Sequence, residues 1–203
     1  MFERLEELCE LVDVHFCDRV NCAPAPRRGV MARIGWGMMS GGIGRLVVLT
    51  GLPGSGKTTV AIRLAGSLPA CRMCPDDWMM AAGIDLWDDA SRARIEAFQL
   101  DLSLELLRAG HNVVIEWGVW AREERDALRN AARNVGARVE LHYLTAATDE
   151  LWTRIVKRDL EGRWGSRSIG RHELDEWARK YEPPTDAEFQ TYDDRAIHGT
   201  CCP

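Results

Sequence analysis

Between residues 45 and 181 the hydrophobic pattern changes period repeatedly. Leu46-Val47-Val48-Leu49 is a continuous apolar run that reaches Thr50 and then Gly51, with the length and β-branching of a strand buried on both faces. Over 57–67, Val60, Ile62, Leu64 and Ala65 sit in a helical setting that ends before Pro69. A second strand is expected at 70–74, closed by Pro75. Ile95, Phe98, Leu102, Leu106 and Leu107 share one side of a helix over 90–108, which Gly110 stops. A third buried strand is expected at 112–116, a helix at 122–135 ended by Gly136, and a fourth strand at 138–144. Thr148 reads as the N-cap of a helix over 149–160, and a last helix over 172–181 precedes Pro183-Pro184. Strands alternating with helices predict βαβ units and a mostly parallel sheet covered on both faces. No internal repeat is visible.

Residues 1–44 read differently. Phe2, Leu5, Leu8, Cys9, Val12 and Phe16 recur at helical spacing, so an amphipathic helix is expected over 2–19. Ala23-Pro24-Ala25-Pro26 breaks it, and Gly35, Gly37, Gly41, Gly42 and Gly44 mark a loose linker. The expected organisation is an extension over 1–44, either dispensable or a partner-binding helix, followed by one α/β domain over 45–203.

Composition narrows the setting. Of 203 residues, 46% are hydrophobic and 28% charged, ordinary values for a globular chain. Lys plus Arg number 26 against 31 Asp plus Glu, a net charge of −5 that argues against broad coating of nucleic acid. No run approaches the ~18 apolar residues of a membrane span. The first seven residues carry three glutamates where a secretory signal is basic. Seven scattered cysteines do not form a disulfide framework. The expectation is a cytoplasmic protein with reduced thiols and no membrane contact.

Gly51-Leu52-Pro53-Gly54-Ser55-Gly56-Lys57-Thr58 matches G-x-x-x-x-G-K-[ST], the Walker A pattern, and Thr59 follows. A buried strand before it and a helix after it supply the context this motif requires. The glycines let the backbone fold into a nest of inward N–H groups for phosphate oxygens, and the helix adds its positive end. Lys57 is placed to reach the β- and γ-phosphates, and the Thr58 hydroxyl to ligate magnesium. A nucleoside triphosphate, ATP with Mg2+, is therefore the expected ligand. Glu116 ends the apolar Val113-Val114-Ile115 run. It reads either as the carboxylate that holds the metal through water or as an ordinary acid at a strand tip.

Phosphoryl transfer to a hydroxyl benefits from a positioned base. Asp76 and Asp77 follow the second strand directly, although Pro75-Asp76-Asp77 also has the makings of a turn or a helix start. Arg154, Lys157, Arg158, Arg163, Arg167 and Arg171, interspersed with Gly162, Gly165 and Gly170, form a basic run. It reads as a lid around 158–171 closing over the triphosphate, or as a solvated helix end.

These stretches carry a resemblance. Gly51–Thr59, Pro75-Asp76-Asp77-Trp78-Met79, the 116–125 segment, Arg154-Ile155-Val156-Lys157-Arg158 and Glu182-Pro183-Pro184-Thr185 are similar to those of a group of small P-loop kinases. That group includes polynucleotide kinase, zeta-toxin-like kinases, chloramphenicol phosphotransferase, gluconate kinase and AAA-type ATP-binding proteins. The resemblance implies a P-loop NTPase α/β/α sandwich with a five-stranded sheet in the order 2-3-1-4-5. It implies Asp76 as the acceptor-activating aspartate, Arg154 on the adenine and Arg158 on phosphates. It implies an ATP-dependent kinase whose acceptor is a hydroxyl of a small molecule. A nucleic-acid 5′-hydroxyl or nucleotide-sugar kinase, or a nucleotide-dependent switch, are the alternatives.

One departure bears on the acceptor. Polynucleotide kinase has an arginine three residues after the catalytic aspartate, and here that position is Met79. An apolar acceptor pocket is expected instead, with Trp78, Trp87, Trp117 and Trp120 either lining it or packed in the core. Arg122 and Arg125 read equally as contacts to an anionic acceptor or as the start of a surface helix. Cys71 and Cys74 read as plain burial, because no second ligand pair lies at metal spacing.

Overall fold

A computed structural model describes residues 42–162 and 168–199. The apolar run at the start of the domain becomes β1, Arg45–Thr50, buried at every position after Arg45. Burial on both faces follows from its place at the centre of the sheet. β3, Asn112–Ile115, pairs with it in parallel on one side, Leu46 opposite Val113, and β4, Arg138–Leu144, on the other, Val47 opposite Glu140. β2, Ala70–Met73, adds outside β3, and β5, Asp194–His198, outside β4. The order β2-β3-β1-β4-β5 is that of the resemblance, and all four pairings are parallel.

Helices cover both faces. α1, Lys57–Ser67, brings Ala61, Val60 and Leu64 onto Val47, Leu49, Val114 and Leu144. α3, Asp89–Arg108, and α4, Arg122–Asn134, bring Leu107, Leu128 and Ala132 onto Leu46, Val48, Val113, Ile115, Val139 and Leu141 on the other face. The residues of each strand alternate between these two cores, and each fully buried Leu, Ile or Val contributes about 1.5–3 kcal/mol. A third cluster joins Leu151 and Ile155 of α5, Thr148–Leu160, to Ile169 and to Leu174 of α6, Arg171–Lys180. Leu52, Trp87, Trp152 and Trp177 pack against it, so the phosphate loop rests on this cluster through Leu52.

Several local expectations are corrected. Thr148 is the first residue of α5 rather than its cap; Ala147 is the N-cap, extended and with no side-chain cap bond. Asp149 and Glu150 in the first turn oppose the helix dipole there instead. Pro75 opens a helix, α2, Pro75–Ala81, in line with the helix-start reading of Pro75-Asp76-Asp77, and its missing N–H costs nothing there. Gly44 is buried against the end of α3, and its carbonyl accepts a hydrogen bond from Arg138 N at 2.9 Å. The pattern gave no sign of β5 or of the one-turn α7, Asp186–Phe189, which Thr185 caps through Glu188 N. β5 shows no buried position, and its attachment comes from pairing with β4 and from Asp193, which exchanges hydrogen bonds with Val139 N and O. The expected helix over 2–19 and the extension up to residue 41 lie outside the described residues. Among the described residues no helix is long and apolar enough to cross a membrane.

Candidate active site

The loop between β1 and α1 carries the first half of the site. Gly51 has φ 152° and Gly54 φ 81°, and a Cβ there would stand 2.4 Å from Leu144 O and 2.8 Å from Leu151 O. Only glycine fits the loop against β4 and α5 at these two points. Ser55 N closes the turn on Leu52 O at 3.1 Å, and Gly56, left-handed at φ 96°, starts α1. Pro53 is half-buried in the loop, and the Ser55 hydroxyl is buried with no hydrogen-bond partner among the described residues.

Lys57 turns back into this loop. Its Nζ donates to Gly51 O at 2.9 Å and Leu52 O at 3.0 Å. Burial pushes the ammonium down to about 8, Glu116 and Asp76 pull it back up, and Arg158 pushes it down again. The candidate cations and carboxylates, drawn from four segments of chain, therefore act on one another. Thr58 is one residue on, and its hydroxyl helps hold down the pKa of the Glu116 carboxyl. Thr59 is exposed on the first turn of α1.

Glu116 follows β3 directly and is almost fully buried. Burial pushes its carboxyl up, and the Arg72 guanidinium and the Thr58 hydroxyl hold it down. Among the described residues no cluster of three or more His, Cys, Asp or Glu side chains could hold a metal ion. The Thr58 hydroxyl and the Glu116 carboxylate, both hard oxygen donors, suit magnesium. That ion keeps several waters and takes its remaining ligands from substrate phosphates.

Asp76 and Asp77 both lie in the first turn of α2, and their carboxylates have different partners. Asp76 Oδ1 accepts from Arg92 Nη2 of α3 at 2.5 Å, and Asp76 raises the pKa of Lys57 after Glu116 and that of Arg158 after Asp159. Arg92 also donates to Leu86 O at 3.2 Å. Asp77 is engaged instead by Arg72 Nη2, while Arg72 Nη1 engages Glu116.

From the basic run, Arg154 Nη1 donates to Gly54 O at 3.2 Å, and Nη2 pairs with Glu150 at 2.5 Å. Arg158 is half-buried, 3.7 Å from Asp159; burial lowers its pKa and Asp159 and Asp76 raise it. Arg171 is turned to Asp149 at 2.8 Å and Asp175 at 3.0 Å. Residues 163–167, the middle of the expected lid with Arg163 and Arg167, lie outside the described residues.

Several sequence-based candidates fall elsewhere. Arg125 is fully buried, neither an acceptor contact nor a surface residue. Its Nε and Nη2 meet the two oxygens of Glu188 at 2.6 and 2.9 Å, and Nη1 donates to Trp120 O at 2.9 Å. Arg122 is exposed and pairs with Asp126 at 3.5 Å. Met79 is fully buried in the core, so it lines no pocket. Trp117 is core as well, its indole N–H donating to Gln99 Oε1 at 2.8 Å, and Trp78 packs on the same core beside Phe98. Trp87 and Trp120 instead meet on Trp177 of α6, with ring centroids 6.2 and 5.6 Å from it. Cys74 is buried but Cys71 is exposed. Sequence reasoning missed Arg72, Arg92 and Trp177, whose partners lie on other segments.

Comparison with known proteins agrees with this architecture. The model of a family described as an AAA domain matches residues 46–184, and the chain belongs to that family. A search of curated proteins finds no match. Among solved structures, Chaetomium thermophilum Kti12 in complex with ADP-AlF3 is 19% identical with a TM-score of 0.60, over 77% of this chain and 89% of that one. A gluconokinase from Sinorhizobium meliloti 1021 is 21% identical with a TM-score of 0.51, over 79% and 85% of the two chains. The Mycobacterium tuberculosis APS kinase CysC, in complex with AMPPNP and APS, is 18% identical with a TM-score of 0.51, over 77% and 90%. At these identities the likeness is one of fold, and the fold is that of the P-loop kinases.

Proposed function

We propose that this protein is an ATP-dependent phosphotransferase that moves the γ-phosphate of Mg-ATP to a hydroxyl of a small molecule, in the cytoplasm. The observation that carries the reading is Asp76 in the first turn of α2, its Oδ1 held by Arg92 of α3 and its charge raising the pKa of both Lys57 and Arg158, beside a complete phosphate loop. A loop that only held nucleotide needs no carboxylate acting on its cations.

The loop N–H groups and the start of α1 receive the β- and γ-phosphates. Lys57, whose Nζ is held at the carbonyls of Gly51 and Leu52, is placed to reach phosphate oxygens. Arg154 lies over Gly54 on the nucleotide side. Thr58 and Glu116 hold magnesium, which supplies neutralisation of the phosphate charge. The acceptor oxygen attacks the γ-phosphorus, the bond to the β-bridging oxygen breaks, and ADP leaves with that bond's electron pair. The acceptor proton passes to Asp76. Arg92 occupies Oδ1 of Asp76, and Oδ2 has no hydrogen-bond partner among the described residues, so one oxygen is held and one is available. Arg158 and Lys57 stabilise the transferring phosphoryl, the charge-meeting role that dominates this chemistry. A gluconokinase and an APS kinase among proteins of this fold support a small hydroxyl acceptor.

The test is transfer of radiolabelled γ-phosphate from ATP and magnesium into a pool of metabolites, nucleosides and antibiotics, with 5′-hydroxyl oligonucleotides and UDP-sugars in separate reactions. A labelled small molecule is expected. Label confined to oligonucleotides or UDP-sugars favours those acceptors, and ATP binding without any product favours a nucleotide-dependent switch.

A further inference from the structure

Arg72 belongs to none of the motifs above, yet it touches both halves of the site. It sits on β2, opposite Val114 of β3 in the parallel register. Alternation along the two strands puts Arg72, Val114 and Glu116 on the face that α1 covers. From there the side chain reaches the C-terminal edge of the sheet, where Nη1 engages Glu116 and Nη2 engages Asp77. Side-chain exposures of 11% for Arg72, 4% for Glu116 and 23% for Asp77 keep this bridge largely out of water. Glu116 also feels the Thr58 hydroxyl, which helps hold its carboxyl down. Arg72 thus joins Glu116, at the end of β3, to the helix turn that bears Asp76.

We propose that Arg72 is a positioning residue, which fixes the Glu116 carboxylate for the magnesium of Mg-ATP and locks the first turn of α2 to it. The inference rests on the reading of Thr58 and Glu116 as the metal-holding pair. Only a planar guanidinium can serve two carboxylates from fixed directions at once. Without it, Glu116 and Asp77 are two acids facing each other at a sparsely hydrated edge, and each loses its reason to hold its present rotamer. Hydrogen-bonded groups behind a metal-holding carboxylate orient it, and losing one typically costs ~10–100-fold in metal affinity or activity. Lys cannot replace Arg72 fully, because its ammonium is a point charge that cannot present two parallel donors.

The test uses the full chain and reads binding, not turnover. ATP affinity is measured by calorimetry across a magnesium titration for the native protein, Arg72→Met, Arg72→Lys and Asp77→Asn, each checked for folding by its thermal transition. In Arg72→Met the magnesium midpoint is expected to rise ~10-fold or more, while ATP affinity without metal stays within about twofold. Arg72→Lys and Asp77→Asn are expected to lie between Arg72→Met and the native protein, which keeps the idea testable if Arg72→Met does not fold. A folded Arg72 variant with an unchanged magnesium midpoint overturns the proposal. So does a lowered midpoint, which would make Arg72 a competitor of the metal. A native protein whose ATP binding ignores magnesium fails the metal-site reading itself, a result separable from the behaviour of Arg72.

Discussion

The two sides of the cleft are built by different means. The proposed nucleotide side is a single stretch, residues 51–58, in which glycine at 51 and 54 is enforced by contact with β4 and α5. The proposed acceptor side is assembled from side chains of distant segments: Asp76 on α2, Arg92 on α3 and Arg72 on β2. A contiguous backbone device announces itself in a sequence. A device made of pairings across the sheet does not.

The largest expected effect falls where the two sides meet. Asp76→Asn should keep ATP binding and lose phosphoryl transfer by ~10²–10⁴, the usual contribution of a general base; ATP titration beside a single-turnover assay separates the two. Lys57→Ala breaks the nucleotide side alone, and its turnover should fall ~10²–10³ through loss of one electrostatic stabiliser. If the acceptor side were independent of the phosphate loop, the double variant would multiply the two losses. The account expects far less than the product, because Lys57 and Asp76 act on the same transferring group.

Glu188→Ala tests the support beneath the acceptor side. It leaves Arg125 as an unpaired charge in the core, and breaking such a pair costs about 3–5 kcal/mol, read as a lowered denaturant midpoint. The smallest effect is expected where His142 of β4 and His198 of β5 share a hydrogen bond of 3.1 Å. Burial pushes His142 down to about 4 from 6.5, with His198 and Arg63 acting the same way and Asp194 opposing. Between those pH values the unfolded chain binds the proton and the folded chain does not. Stability is therefore full above pH 6.5 and falls as the pH drops toward 4. His142→Asn should flatten the dependence of the thermal midpoint on pH over that window.

How much was legible follows the same division. Apolar runs gave β1 and β3, whose central places ask for apolar residues on both faces, and the phosphate loop gave itself. β5 was illegible because an edge strand held by one neighbour needs no apolar run; Asp194 and Arg195 are exposed. His142 and His198 could not be paired until that strand was placed. Arg125 looked like a surface arginine because nothing local marks Glu188, 63 residues on, as its partner. Trp78 and Trp117 read as pocket or core because apolar residues beside a site and apolar residues beneath it read alike.

The most direct measurement is single-turnover transfer of labelled γ-phosphate from Mg-ATP to the acceptor pool by the native protein and by Asp76→Asn, with ATP affinity determined for both. The account predicts a labelled small molecule from the native protein, and equal ATP affinity with almost no product from the variant. Equal transfer by the two proteins would contradict the assignment of Asp76, and no labelled product from the native protein would contradict the claim that this site joins a phosphate donor to a hydroxyl acceptor.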